Sequence, residues 1–254
     1  MPRKWPKEAA EAQRFAPVVV GTVGTTGLSR WPRLWLLGAT VFLWSAGMSS
    51  AGAKVELSVL SGAVVNARSP LLLRQEGWPD VRISARFRPR PLSFPLYYAL
   101  RVGRGGGRSL EAELVHDKLY LENPPAEVQS FAITHGFNLL FVNVAWQKGN
   151  WAVRAGGGPV LAHPETVVRG QRHPETGGFL GGGYYISGPA IQVALGRRHH
   201  LWRQLSLLSE AKFTLARARF PIARGHATVT NAAVHLLLGL SLGIPGAGAG
   251  GQSP

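Results

Sequence analysis

Only one stretch of this chain has the makings of an apolar helix, and it is short. It runs from Leu34 to Trp44. Beyond Ala53, glycine and proline interrupt every segment that begins a helical period. Apolar residues recur there at every second position instead, which is the period of a strand with two unlike faces. The chain is 45% hydrophobic, yet the positions between the apolar ones are small, polar or charged. A soluble sandwich would place many more Lys and Glu on its exposed face. An apolar set facing lipid and a polar set facing a narrow interior describe a closed antiparallel barrel in a bilayer.

The alternation can be followed strand by strand. In 110–120 the outward set begins Leu110, Ala112, Leu114, and the inward set is Glu111, Glu113, Val115, Asp117. In 131–141 the outward set is Phe131, Ile133, His135, Phe137, Leu139, Phe141, and the inward set opens Ala132, Thr134, Gly136, Asn138. In 190–196 Ile191, Val193 and Leu195 oppose Ala190, Gln192, Ala194 and Gly196. In 205–215 Leu205, Leu207, Ser209, Ala211, Phe213 and Leu215 oppose Glu210, Lys212 and Thr214. In 231–243 Ala232, Val234, Leu236, Leu238, Leu240 and Leu242 oppose Asn231, His235, Gly239, Ser241 and Gly243. With 55–63, 96–103 and 151–162, the pattern predicts about eight strands. Tight turns are expected at 105–107, 148–150 and 199–203. Longer connections are expected at 66–90, 123–128, 169–187 and 221–227. The first of these is long enough for a hairpin of 71–75 with 81–87 through Gly77-Trp78-Pro79-Asp80.

The 1–53 segment reads as a leader. Arg30 and Arg33 precede the Leu34–Trp44 core, and small residues Ala51 and Ala53 follow. These are the parts of a secretory signal, and the core is shorter than the ~20 residues of a spanning helix. Cleavage is expected near Ala53, leaving the barrel over 54–245 and a Gly-rich tail over 246–254. The chain has no cysteine, so disulfides and thiolate chemistry are excluded. The net charge of +15 first suggests nucleic acid. The arginines, however, are scattered among strands and turns, so contact with acidic lipid head groups accounts for them and no nucleic-acid partner is expected.

Tyr97, Tyr98, Trp146, Trp151, Tyr184, Tyr185 and Trp202 fall near predicted strand ends, where aromatic girdles sit. With the signal, the strand count and the alternation of short turns and long loops, residues 54–245 resemble the small outer-membrane barrels of Gram-negative bacteria. The resemblance implies export to the cell outer membrane and assembly by the barrel-assembly machinery. It also implies a monomer in contact with outer-membrane lipids and lipopolysaccharide. The chain departs from that pattern at its end, where a Gly-rich tail stands in place of a terminal aromatic.

An eight-stranded barrel has an interior filled by side chains. The inward set holds Glu56, Arg101, Glu111, Glu113, Arg154, Gln192, Glu210, Lys212 and His235. Charges enclosed this way must pair, so they are expected to form a structural polar network. Three histidines, His116, His135 and His163, fall in the lipid-facing phase of three consecutive strands, near the long-loop end. They are the candidates for a membrane-facing catalytic site, with Glu165 beside His163. Lipid-deacylating barrels carry a serine two residues after the histidine. Here Phe137 and Glu165 hold those places, and Ser130 and Thr134 are the nearest hydroxyls. The tetrad His163-Pro164-Glu165-Thr166 recurs as His173-Pro174-Glu175-Thr176. Its ten-residue spacing is neither a zinc-finger nor a metalloprotease pattern, and no metal or cofactor is expected from it. The function expected is structural or adhesive, through the long outer loops. A lipid A or phospholipid-modifying enzyme and a narrow channel for small solutes are the competing classes.

Overall fold

The computed structural model describes residues 54–245, so the expected leader (1–53) and tail (246–254) lie outside the described residues. Among the described residues every regular element is a strand: β1 (Val55–Asn66), β2 (Ser69–Gln75), β3 (Val81–Ala85), β4 (Phe87–Arg88), β5 (Tyr98–Arg104), β6 (Arg108–Leu121), β7 (Val128–Lys148), β8 (Trp151–Val168), β9 (Gln171–Arg172), β10 (Gly177–Gly178), β11 (Gly182–Trp202), β12 (Leu205–Ile222) and β13 (Gly225–Ile244). Eight of them close a ring in the order β1-β5-β6-β7-β8-β11-β12-β13, and β13 returns to β1. Every pairing around the ring is antiparallel. Closure of the eight-strand ring leaves it without a free edge strand, so the backbone polar groups of the spanning wall pair within the sheet, as a lipid environment requires.

Both ends of the described chain and the tight turns at 105–107, 149–150 and 203–204 share one end of the barrel. The opposite end carries the long connections, with one exception. The expected loop at 221–227 is a two-residue turn, because β12 and β13 stay in register up to Ile222 and Gly225. The expected hairpin forms as β2 and β3. It is not a free loop, since β2 pairs with the far end of β13, from Gly225 to Val229. The far end of β6 pairs with β4. The barrel therefore continues at its loop end as a packed β-rim.

Side-chain phase follows the sequence closely on β11, β12 and β13. Ile191, Val193, Leu195, Phe213, Leu215, Val234, Leu236, Leu238, Leu240 and Leu242 are all exposed, and their in-between neighbours are buried except Gly239, which is partly buried. On β7 the expected phase is inverted. Phe131, Ile133, Phe137, Leu139 and Phe141 are buried and face the interior, while Leu140, Val142 and Trp146 are exposed. An apolar run suggests a lipid-facing set, but the interior is itself apolar at this height. Phe131 packs between Phe87 and Phe220, at ring-centroid distances of 6.2 and 6.1 Å. Leu60, Leu119, Ile133, Val160 and Val229 join the same core.

Candidate functional site

Nearer the short-turn end the interior is ionic. Arg101 (β5) donates to Glu113 (β6) at 3.0 Å and to Glu210 (β12) at 2.6 Å. Arg154 (β8) donates to Glu111 (β6) at 2.7 Å and to Glu210 at 3.2 Å. Lys212 (β12) pairs with Glu113, and its ammonium is 3.5 Å from Glu210. Three cations thus meet three carboxylates, and all six side chains are buried. Gln192 (β11) donates to Glu113 at 2.6 Å, and so does Asn143 (β7) at 2.8 Å. Below this layer Glu56 pairs with Arg198. Above it His235 lies between the Tyr97 hydroxyl, 3.0 Å away, and the Thr214 hydroxyl, 2.9 Å away. Asn143 and Arg198 are not among the residues the sequence singles out. The inverted phase of β7 hides Asn143 from the sequence pattern. Tyr97 was expected in the girdle but is buried in the lumen.

The outer wall carries an apolar belt, bounded at the short-turn end by Trp146, Trp151 and Trp202, all exposed. Arg108, Arg197 and Arg203 lie over their respective rings at 5.9, 5.3 and 4.9 Å. Aromatic rings backed by cations suit an interface between lipid and water. Toward the loop end the belt gives way to exposed Arg217 and Arg219 on β12, directly beyond Leu215. A ring of strands, apolar outside and ionic inside, spans a membrane. The chain is an eight-stranded transmembrane β-barrel.

Solved structures of outer-membrane proteins align with this chain at low sequence identity. The outer membrane protein AlkL, seen by solid-state NMR in lipid bilayers, aligns with a TM-score of 0.44 and 15% identity, over 79% of this chain and 93% of AlkL. OprG of Pseudomonas aeruginosa gives 0.38 and 5%, over 77% and 96%. Ail, the attachment invasion locus protein of Yersinia pestis, gives 0.31 and 4%, over 74% and 99%. No protein-family model and no curated protein matches the sequence.

The three outward histidines separate into two groups. His116 is only 5% exposed. Tyr98 stacks on it at 4.9 Å, and its Nδ1 is 2.7 Å from Asn138 Oδ1. It keeps the outward phase, but Tyr98 and Asn138 cover it. His135 and His163 come together, with ring centroids 4.9 Å apart. A bulge in β7 does this. Ile133 pairs with Pro164 and Phe137 with Ala162, so Thr134, His135 and Gly136 stand opposite His163 alone. Gly136, at φ +130°, takes a backbone conformation that other residues avoid. The bulge turns His135 outward although its flanking apolar residues face in. His135 Nδ1 is 2.7 Å from Glu165 Oε1.

His163 has the outward phase but is 6% exposed, because β11 folds over it. Tyr184 meets its ring edge-on at 4.9 Å. Any Cβ on Gly183 would come within 2.6 Å of its Nε2, so only glycine fits there. The first His-Pro-Glu-Thr tetrad thus lies on β8. The second lies in the following loop, where His173 Nε2 is 3.4 Å from the Tyr185 hydroxyl. Burial holds His173 below the ordinary histidine value.

The geometry does not form a hydrolase triad at His135. The Thr134 hydroxyl is 3.2 Å from His135 Nδ1, the same nitrogen that meets Glu165. A relay needs the nucleophile on one ring nitrogen and the carboxylate on the other. Among the described residues, His135, His163 and Glu165 form the group of side chains that could hold a metal.

Proposed function

We propose that this protein is a non-conducting outer-membrane barrel, exported by its leader, that acts at the cell surface through its loop-end rim. The observation that carries this reading is the double closure of the interior. An ionic layer around Arg101, Glu113, Glu210 and Lys212 fills one half. A packed apolar layer around Phe87, Phe131 and Phe220 fills the other. An ion entering from either end meets a barrier it cannot cross without breaking buried pairs or leaving water behind. Function then falls to the exterior. Arg217 and Arg219 stand where the apolar belt ends, at the height of lipid head groups, with arginines of the β2–β3 hairpin nearby. Guanidinium groups match phosphate geometry, which supports lipopolysaccharide as the contact partner.

Planar-bilayer recordings on the refolded barrel test the sealed interior. No single-channel steps are expected in potassium chloride or in salts of larger ions, and reproducible steps that scale with salt would overturn it. Binding to lipopolysaccharide vesicles tests the rim. Replacing Arg217 and Arg219 together by serine should weaken binding several-fold at low salt, and an unchanged isotherm counts against the surface role.

A further inference from the structure

We propose that His135, His163 and Glu165 form a site for a single zinc-type transition-metal ion on the outer wall, where β7 and β8 meet. The coordinating atoms of these three side chains all lie within 4.8 Å of one another. Two imidazoles and a carboxylate are a donor set that zinc takes readily, and cobalt and nickel accept it as well. Zinc bonds of about 2.0–2.1 Å to nitrogen place tetrahedral ligand atoms roughly 3.3–3.4 Å apart. The observed separations bracket that value. His135 Nδ1 is 2.7 Å from Glu165 Oε1, and His163 Nδ1 is 3.9 Å from the same oxygen. Small rotations of the exposed His135 and the half-buried Glu165 suffice to equalise them.

An independent observation points to a ligand. His163 Nδ1 is buried and has no hydrogen-bond partner. A buried polar atom left unpaired is costly, and a metal ion beside Glu165 would satisfy it. The surroundings hold the ligands in place. The Tyr184 hydroxyl donates to the His135 carbonyl at 3.1 Å, and its ring packs on His163. His163 and Glu165 project from the same face of one strand, and the β7 bulge supplies His135 from the next. His135 remains half exposed, with 51% of its side chain accessible. The fourth position therefore opens to the outside, the arrangement of three protein ligands and one exchangeable place. This departs from the absence of a metal expected from the sequence. The tetrad spacing failed as a signal because the site uses only one of the two tetrads and takes its third ligand from a neighbouring strand.

Calorimetry on the refolded barrel, with zinc chloride alone at neutral pH, tests the site. One zinc per barrel is expected. His163→Gln and Glu165→Gln should each weaken binding at least tenfold, while the double variant His199→Gln/His200→Gln, at the short-turn end of β11, should leave it unchanged. Absence of binding, or binding that survives His163→Gln, overturns the proposal. So does binding that disappears with the His199/His200 variant. Cobalt loaded into the unmodified barrel gives a reading that needs no variant to fold. Intense visible bands of a four-coordinate ion are expected, and the weak spectrum of hydrated cobalt overturns the site.

Discussion

The wall formed by β11, β12 and β13 and the wall formed by β5 to β8 are built from the same alternation but differ in regularity. Along β12–β13 the register runs unbroken from Leu205↔Leu242 to Ile222↔Gly225. Its outward face is a continuous apolar surface, from Val234 to Ile244 on β13. The other wall shifts register between Asp117 and Leu119 and again between Ile133 and Phe137, and β5 is only a seven-residue strand. Its outward face carries His116, Asn138, His135, His163 and Glu165. Regular pairing gives a surface suited to lipid and little else. Each bulge rotates side chains out of phase, and the polar groups gather where it does so.

The largest test of this contrast concerns the seam between the walls. Lys212 projects from the regular wall and pairs with Glu113 of the irregular one. Lys212→Met leaves two buried carboxylates, Glu113 and Glu210, with less compensation. Breaking one partner of a buried pair costs about 3–5 kcal/mol. The urea midpoint of refolding in lipid, followed by gel mobility with and without heating, should fall accordingly or refolding should fail. An unchanged midpoint breaks the idea that the ionic layer joins the walls.

A smaller effect separates their outer faces. Leu238 lies within the apolar run of β13, where a new arginine costs about 2–4 kcal/mol, against about 0–1 kcal/mol near an interface. Leu238→Arg should therefore lower the same midpoint clearly, and His135→Arg should barely move it. Equal losses at the two positions would show that both walls meet lipid alike.

The two walls also differ in how far the sequence discloses them. Over 190–196, 205–215 and 231–243 of β11 to β13, period two places the side chains on their correct faces, because one face is largely apolar and the pairing there runs without a shift. The candidate lumen residues lie on strands where charge marks the inside unmistakably, as with Glu111 and Glu113 or Glu210 and Lys212. On β7 no charge marks either face. Phe131, Ile133, Phe137 and Leu139 look lipid-facing by composition, yet they fill an apolar interior. The meeting of His135 with His163 depends on a bulge that only Gly136 hints at. His163 and Glu165, two residues apart, were legible as a same-face pair. Their third partner was not, since cross-strand register cannot be read from one strand.

Gly136 is the residue on which the irregular wall turns, and its replacement gives the smallest of the three effects. Alanine there would hold a left-handed backbone conformation at a cost of order 1–3 kcal/mol. Its Cβ would also come within 2.2 Å of the Asn138 amide. Asn138 must then move off His116, so one substitution strains the bulge and loosens the neighbouring row. Gly107 is the control, because it sits in a tight turn and the nearest atom to an added Cβ is 4.0 Å away. Gly136→Ala should lower the urea midpoint modestly, and Gly107→Ala should leave it where it is. If both substitutions are silent, the bulge can relax into regular pairing at no cost. The difference between the walls would then be an accident of the alternation, not a device that brings His135 to His163.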